Sequence, residues 1–142
     1  MVPPTGGQWN YDKENRKAPI KGLISAKRIA HPKSFILKEV LALVVDKFSD
    51  HFGDLEPFHY AITRKQALTE LKYFIKHILP KFGDYQDAMV KGEAYLNHSL
   101  LSCYINAGLL LPFEVCQKAQ SAYRQGLVPL NAAEGFIRRA VL

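Results

Sequence analysis

The sequence predicts an all-α fold, and three observations predict it. Apolar residues beyond position 33 recur at three- and four-residue spacing, as on one face of a helix. Capping residues and proline or glycine stops bound those stretches. No convincing two-residue alternation of apolar and polar residues competes with them. At 142 residues, the chain has room for one domain made of several short helices, with no internal repeat.

The elements follow in order. Residues 1–33 are polar and punctuated by proline, and read as an extended basic arm. His31-Pro32-Lys33-Ser34 is a start signal, with Ser34 as N-cap of a helix carrying Ile36, Val40, Leu43, Val44 and Phe48. Leu37, Leu41 and Val45 widen that stripe, so this helix is expected to be covered on both sides. Gly53 and Pro57 break the pattern. Thr63-Arg64-Lys65-Gln66 is a capping box. Ala67, Leu68, Leu71, Phe74, Ile75 and Ile78 continue from it and are expected to end at Pro80, with Lys65, Lys72 and Lys76 on a solvated face. Phe82 to Met89 reads as a short turn-rich passage. A helix is then expected from Ser99 to the stop at Gly108. Pro112 opens a further helix through Val115, Ala119 and Tyr123, which Gly126 ends. Asn131 with Glu134 starts a last helix bearing Phe136, Ile137 and Ala140.

Composition narrows the function. Apolar residues make up 48% of the chain, ordinary for a globular protein. No apolar run approaches the length of a membrane span, and the N-terminus lacks the basic and apolar regions of a signal peptide. Cys103 and Cys116 both lie in helix-like segments and suggest buried, reduced thiols in a cytoplasmic protein. Charge is concentrated. Residues 1–33 hold seven cations against Asp12 and Glu14, a net +5 of the chain's +6. With Trp9 and Tyr11 nearby, a flexible arm of this kind suits contacts to a nucleic-acid backbone; it suits a solvated linker equally.

The most informative stretch is residues 95–112. His98, Ser99 and Ser102 fall at the start of the expected Ser99 helix, where unpaired N–H groups and the helix dipole favour an anion. A phosphate there would meet backbone donors and two hydroxyls. Alternatively, Ser99 is only an N-cap and His98 a surface side chain. Little other chemistry is written in the chain. His31, His51, His59, His77 and His98 show no metal-ligand spacing, and there is no phosphate-binding glycine loop or nucleophile elbow. Asp84 and Asp87 suggest an acid pair, although a turn or capping role suits them better.

The residues His98-Ser99-Leu100-Leu101-Ser102, followed by Tyr104, Asn106, Gly108-Leu109-Leu110 and Pro112, resemble the flavin-pyrophosphate segment of the photolyase and cryptochrome superfamily. That segment's usual form is Thr-Ser-x-Leu-Ser-Pro-Tyr-Leu and then Gly. With His98 for the first Thr and Cys103 for the Pro, the chain is similar to the bacterial iron-sulfur cryptochromes and photolyases, the deoxyribodipyrimidine photolyase-related proteins. Three further segments agree in order: Gly6-Gly7-Gln8-Trp9-Asn10-Tyr11-Asp12 with Glu14-Asn15-Arg16-Lys17, then Phe82-Gly83-Asp84-Tyr85-Gln86-Asp87-Ala88-Met89, then Glu134-Gly135-Phe136-Ile137-Arg138.

The resemblance implies a basic interdomain linker over residues 1–33, with DNA contact through Arg16, Lys17, Lys21, Lys27 and Arg28. It implies the N-terminal half of a helical FAD-binding domain over residues 34–142. It implies that Ser99, Leu100 and Ser102 hold the pyrophosphate and ribitol of flavin adenine dinucleotide. His98 could still donate there from its imidazole, and Tyr85 falls near a tyrosine that reaches the phosphates. Arg138 and Glu134 match the start of a segment that continues into flavin-contacting residues. The family activity is light-driven repair of UV photoproducts in DNA, of the (6-4) or a related type, by a monomer.

The departures bear on what this chain does alone. The family's Phe-Ile-Arg-Gln and the Gly-Trp-Arg-Glu-Tyr that follows become Phe136-Ile137-Arg138-Arg139-Ala140-Val141-Leu142. Cys103 and Cys116 do not match iron-sulfur cluster positions, so that cluster is not supported here. The expectation is a middle slice of a photolyase, lacking the antenna domain and the C-terminal segments, with FAD binding weak or absent and no catalysis by this chain alone. The alternatives are a helical DNA-binding module without flavin, and a remnant without activity.

Overall fold

A computed structural model describes residues 3–141. Met1, Val2 and Leu142, on which part of the reading of the N-terminus and the close of the last motif fall, lie outside the described residues. Among the described residues the regular structure is helical throughout: α1 (Phe35–Lys47), α2 (Arg64–Tyr73), α3 (Leu79–Tyr85), α4 (Ser102–Asn106), α5 (Pro112–Arg124) and α6 (Leu130–Val141). None of these helices is long and apolar enough to cross a membrane.

Local chemistry sets several helix ends. The Ser34 hydroxyl accepts from the Leu37 N–H at 3.2 Å, capping α1. Thr63 accepts from the Gln66 N–H at 3.3 Å, while the Gln66 amide oxygen reaches back to the Ile62 N–H at 2.9 Å. That is the reciprocal arrangement of a capping box, displaced by one residue on the return bond. Pro112 occupies the first turn of α5. At the other end the Leu127 N–H returns to the Ala122 carbonyl and the Gly126 N–H to Tyr123, with Gly126 at φ 71°. This six-to-one closure needs a residue at positive φ, which glycine adopts at little cost.

Pro80 does not end the second helical run. Residues Phe74–Ile78 form a π turn that joins α2 directly to α3, with the Leu79 N–H bonded to the Phe74 carbonyl. Proline lacks the donor for a normal turn and crowds the carbonyl four residues earlier. The wider turn just before Pro80 gives its ring space, so the passage expected as turns from Phe82 is helical up to Tyr85.

The core lies where α2, the π turn, α3, α5 and α6 converge. Phe74, Phe82 and Phe136 form its centre, with ring centroids 4.7–6.1 Å apart. Two of the three pairs are edge-to-face, which suits the ring quadrupoles. Leu71, Leu79, Leu101, Leu110, Val115, Ala119 and Ala132 close around them. Gly83 lets α3 approach α6 closely, since a Cβ there would lie 2.8 Å from the Ala132 Cα and the Asn131 side chain.

Helix α1 corrects an expectation. Only Leu37 on it is buried, and it lies outside the core cluster. Phe35, Ile36, Val40, Leu43, Val45 and Phe48 are exposed rather than covered on both sides. Periodicity records which residues favour a helix face; it carries no information about what covers that face.

The leading segment, expected to be a flexible arm, is tied to the helical body at several points. Asn15 is fully buried and gives its amide N–H to the Asn131 carbonyl at 3.2 Å. It receives the Asn131 amide at 3.0 Å in return. Asn131 therefore acts inside the first turn of α6 as a tertiary partner, not as the expected helix start signal. A Cβ on Gly135 would stand 2.8 Å from the Asn15 amide nitrogen, so that glycine makes room for it. Lys17 bonds Asp84 through both its backbone N–H, at 3.0 Å, and its ammonium, at 2.9 Å. Arg138 pairs with Asp12 and, at 3.0 Å, with Glu134. Further along, His31 meets the buried Glu70 at 2.8 Å.

A second tie lies between these points. The Ser25 N–H donates to the Glu93 carboxylate at 2.7 Å, and the Ser25 hydroxyl accepts from the N–H groups of Leu96 at 2.7 Å and Tyr95 at 3.3 Å. The bond from the Ser25 N–H holds the Glu93 carboxyl below the usual carboxylate range.

Two outcomes test this frame. Gly83→Ala would gain about 1 kcal/mol of helix propensity in isolation. Its overpacking against Ala132 is expected to reverse the sign and cost on the order of 1–3 kcal/mol, read as a lowered Tm by circular dichroism. For the Ser25–Glu93 tie, the folded carboxyl lies below its unfolded value. The tie thus contributes above the ordinary glutamate range and is lost as pH falls through the depressed folded value. The Ser25 amide resonance is expected to titrate below that ordinary range, and Glu93→Gln is expected to abolish the titration.

Candidate functional site

The candidate site is built on the segment that precedes α4. The Ser25 tie holds residues 95 and 96 from one side. Leu101 and Tyr104 are buried in the core on the other, and the Tyr104 hydroxyl accepts from the Ala61 N–H at 3.2 Å. Between these anchors the chain turns sharply, with Leu100 at φ 54°. A leucine in the left-handed region is strained, and here its neighbours on both sides are fixed.

That turn moves the helix start. The helix expected from Ser99 begins at Ser102 and runs only to Asn106, five residues in all. Ser99 is not its N-cap; its hydroxyl meets the Leu101 N–H at the long distance of 3.5 Å. So short a helix sums few peptide dipoles, and the expected dipole contribution to an anion site is correspondingly small. What the turn does instead is aim side chains.

His98, Ser99, Leu100 and Ser102 all line one open cleft of about 440 Å³. Its apolar side is formed by Phe82 and Phe136 from the core and Ile105 from α4. Asn106 and Arg139 complete the polar side. Arg139 is half-exposed and bonds the Asp87 carboxylate at 2.8 Å. The arrangement offers hydroxyl, imidazole, amide and guanidinium donors above an apolar wall. Such a mixture suits an anionic group attached to an apolar or aromatic body.

Four of the five residues expected to hold a cofactor are therefore brought together. Tyr85 is not among those lining the cleft; it ends α3, half-buried. Arg139 went unrecognised as a site residue in the sequence, where it stood only as a departure from a motif. A signal was present: Arg139 and Ala140 follow Phe136 by three and four positions, so all three share one face of α6.

Asp84 and Asp87 make no acid pair. Asp84 takes the Lys17 ammonium and Asp87 takes Arg139. Among the expected DNA contacts, Arg16, Lys21 and Lys27 are exposed, Lys17 is engaged with Asp84, and Arg28 lies 5.3 Å over the Tyr95 ring. Arg28 with Tyr95 is a cation–π contact, and both line a small pocket that also includes His98, Ser99 and Leu100. Cys103 is exposed rather than buried, and Cys116 is half-buried. Desolvation pushes both thiols up, which keeps them protonated and weakly nucleophilic. Among the described residues, no group of His, Cys, Asp and Glu is placed to hold a metal ion.

Comparison with known proteins agrees with this frame. The family model of the deoxyribodipyrimidine photo-lyase-related protein matches residues 2–60. A (6-4) photolyase from Agrobacterium fabrum (strain C58 / ATCC 33970) is 47% identical over 138 residues. That match covers 97% of this chain and 27% of the relative, so the chain spans roughly a quarter of the relative's length. Together with the helical fold, these matches show that the chain belongs to the deoxyribodipyrimidine photo-lyase-related family.

Proposed function

We propose that the chain supplies part of the FAD pyrophosphate site of a light-driven flavoprotein that repairs UV photoproducts in DNA, of the (6-4) type. The observation that carries this reading is the cleft in which His98, Ser99, Leu100 and Ser102 meet. Its donors fit a pyrophosphate and its apolar wall fits the attached ribitol and ring edges. When bound, the flavin supplies the light-driven electron transfer. The chain's own residues bind and orient. The Ser99 and Ser102 hydroxyls and the His98 imidazole donate to phosphate oxygens, while Phe82, Ile105 and Phe136 keep water from one side of the ligand. Tyr85 is assigned a supporting position at the end of α3, outside the cleft lining. In this reading the protein acts in the cytoplasm as a monomer, with the residues beyond this span completing the flavin pocket. Catalysis belongs to the longer protein.

The basic leading segment supports a second, compatible reading as the DNA-contacting linker over residues 1–33. Arg16, Lys21 and Lys27 are exposed. They are free to follow phosphates, whereas Lys17 and Arg28 contribute through groups already tied to the body. The same segment would serve a DNA-binding module that carried no flavin.

Two measurements separate these readings. Titration of FAD into the chain, followed by flavin fluorescence, is expected to show weak binding that Ser99→Ala with Ser102→Ala reduces about tenfold further, near the lower value of a single hydrogen bond to a charged group. Unchanged affinity in the double variant sinks the assignment of the two hydroxyls. Duplex DNA affinity measured against salt is expected to fall log-linearly, with Lys21→Glu and Lys27→Glu together reducing the slope by about 2. DNA binding without any flavin binding would leave only the second reading.

A further inference from the structure

We propose that Arg139 sets the anion affinity of the cleft, and that Asp87 is a positioning residue that holds Arg139 in reserve until an anion arrives. The ligand class is a pyrophosphate diester. This rests on the flavin-pyrophosphate reading above and adds the cation that reading lacks.

Three observations carry it. First, Arg139 is the one permanently charged cation among the residues lining the cleft, whose other polar members are His98, Ser99, Ser102 and Asn106. Neutral donors orient a pyrophosphate but do not balance its charge. A guanidinium does, and its planar fork matches two phosphate oxygens. Second, the Arg139–Asp87 pair is weakly committed. It is a single contact at 2.8 Å, with side chains 51% and 45% exposed. Exposed pairs of this kind contribute little, so exchanging a carboxylate for a doubly charged pyrophosphate costs little. Third, the neighbouring arginine is not available. Arg138 is bound to both Asp12 and Glu134, and those bonds tie the leading segment to α6. Consecutive residues on a helix point about a quarter-turn apart, so one arginine serves the frame and the other faces the cleft.

The pair also predicts a direction that ordinary packing does not. Removing the carboxylate frees the guanidinium and lowers the negative potential beside the cleft. Asp87→Asn is therefore expected to strengthen pyrophosphate binding, while Arg139→Gln weakens it.

The test is calorimetric titration of the full chain with FAD, ADP and riboflavin, the last carrying no phosphate. FAD and ADP affinity is expected to fall about tenfold in Arg139→Gln, to be largely kept in Arg139→Lys, and to rise about two- to fivefold in Asp87→Asn. Riboflavin binding is expected to be unmoved by all three. The helical circular dichroism of each variant reports whether it is folded. Wild-type FAD and ADP affinity in a folded Arg139→Gln variant overturns the inference and leaves the flavin reading standing. Failure of the unmodified chain to bind either FAD or ADP overturns the flavin reading and this inference with it. Equal loss in Asp87→Asn and Arg139→Gln would assign the pair a structural role and overturn the reserve.

Discussion

The helical body of this molecule depends on the close crossing of α3 and α6. Gly83 against Ala132 brings the two backbones near enough for Phe82 and Phe136 to meet edge to face beneath Phe74. The same approach leaves a narrow polar crevice beside the aromatic cluster, and Asn15 from the leading segment fills it. A buried primary amide is costly unless its donors and acceptor are matched. Here Asn131 supplies both a carbonyl and an amide, and Gly135 leaves space for the ring of bonds. The crossing is thus sealed by a residue that lies 116 positions before its partner on α6.

This gives the motif segments distinct physical tasks. Asp12, Asn15 and Lys17 of the first, Gly83 and Asp84 of the second, and Gly135 and Arg138 of the third all converge at the crossing. They build the frame. The fourth segment, around residues 98–102, carries the cleft and hangs from that frame through Leu101 and Tyr104. Strain at Leu100 is tolerated because the Ser25 tie on one side and the core on the other leave the turn no relaxed alternative. The geometry of the cleft is therefore coupled to packing some distance from it.

Helix α1 belongs to a different regime. It has a good N-cap and strong periodicity, yet its apolar residues stand in water. Isolated helices of its length are marginal, since most helical stability in proteins comes from a packed face. Its local signals are sufficient to specify a helix, while the body described here buries only Leu37.

By itself the sequence determined the helical class, the caps at Ser34 and Thr63, the turn at Pro112 and the stop at Gly126. Each of these depends on atoms within about one turn of chain, so spacing alone exposes them. The tertiary structure decided the rest. It carried the second helical run through Pro80 by a π turn, delayed α4 to Ser102, turned Asn131 from a start signal into a clamp, and swung Arg139 into the cleft beside Asp87. In each case the deciding partner or constraint lies outside the local pattern. Side-chain spacing along one helix says which residues share a face, and only the packing of other helices says what that face meets.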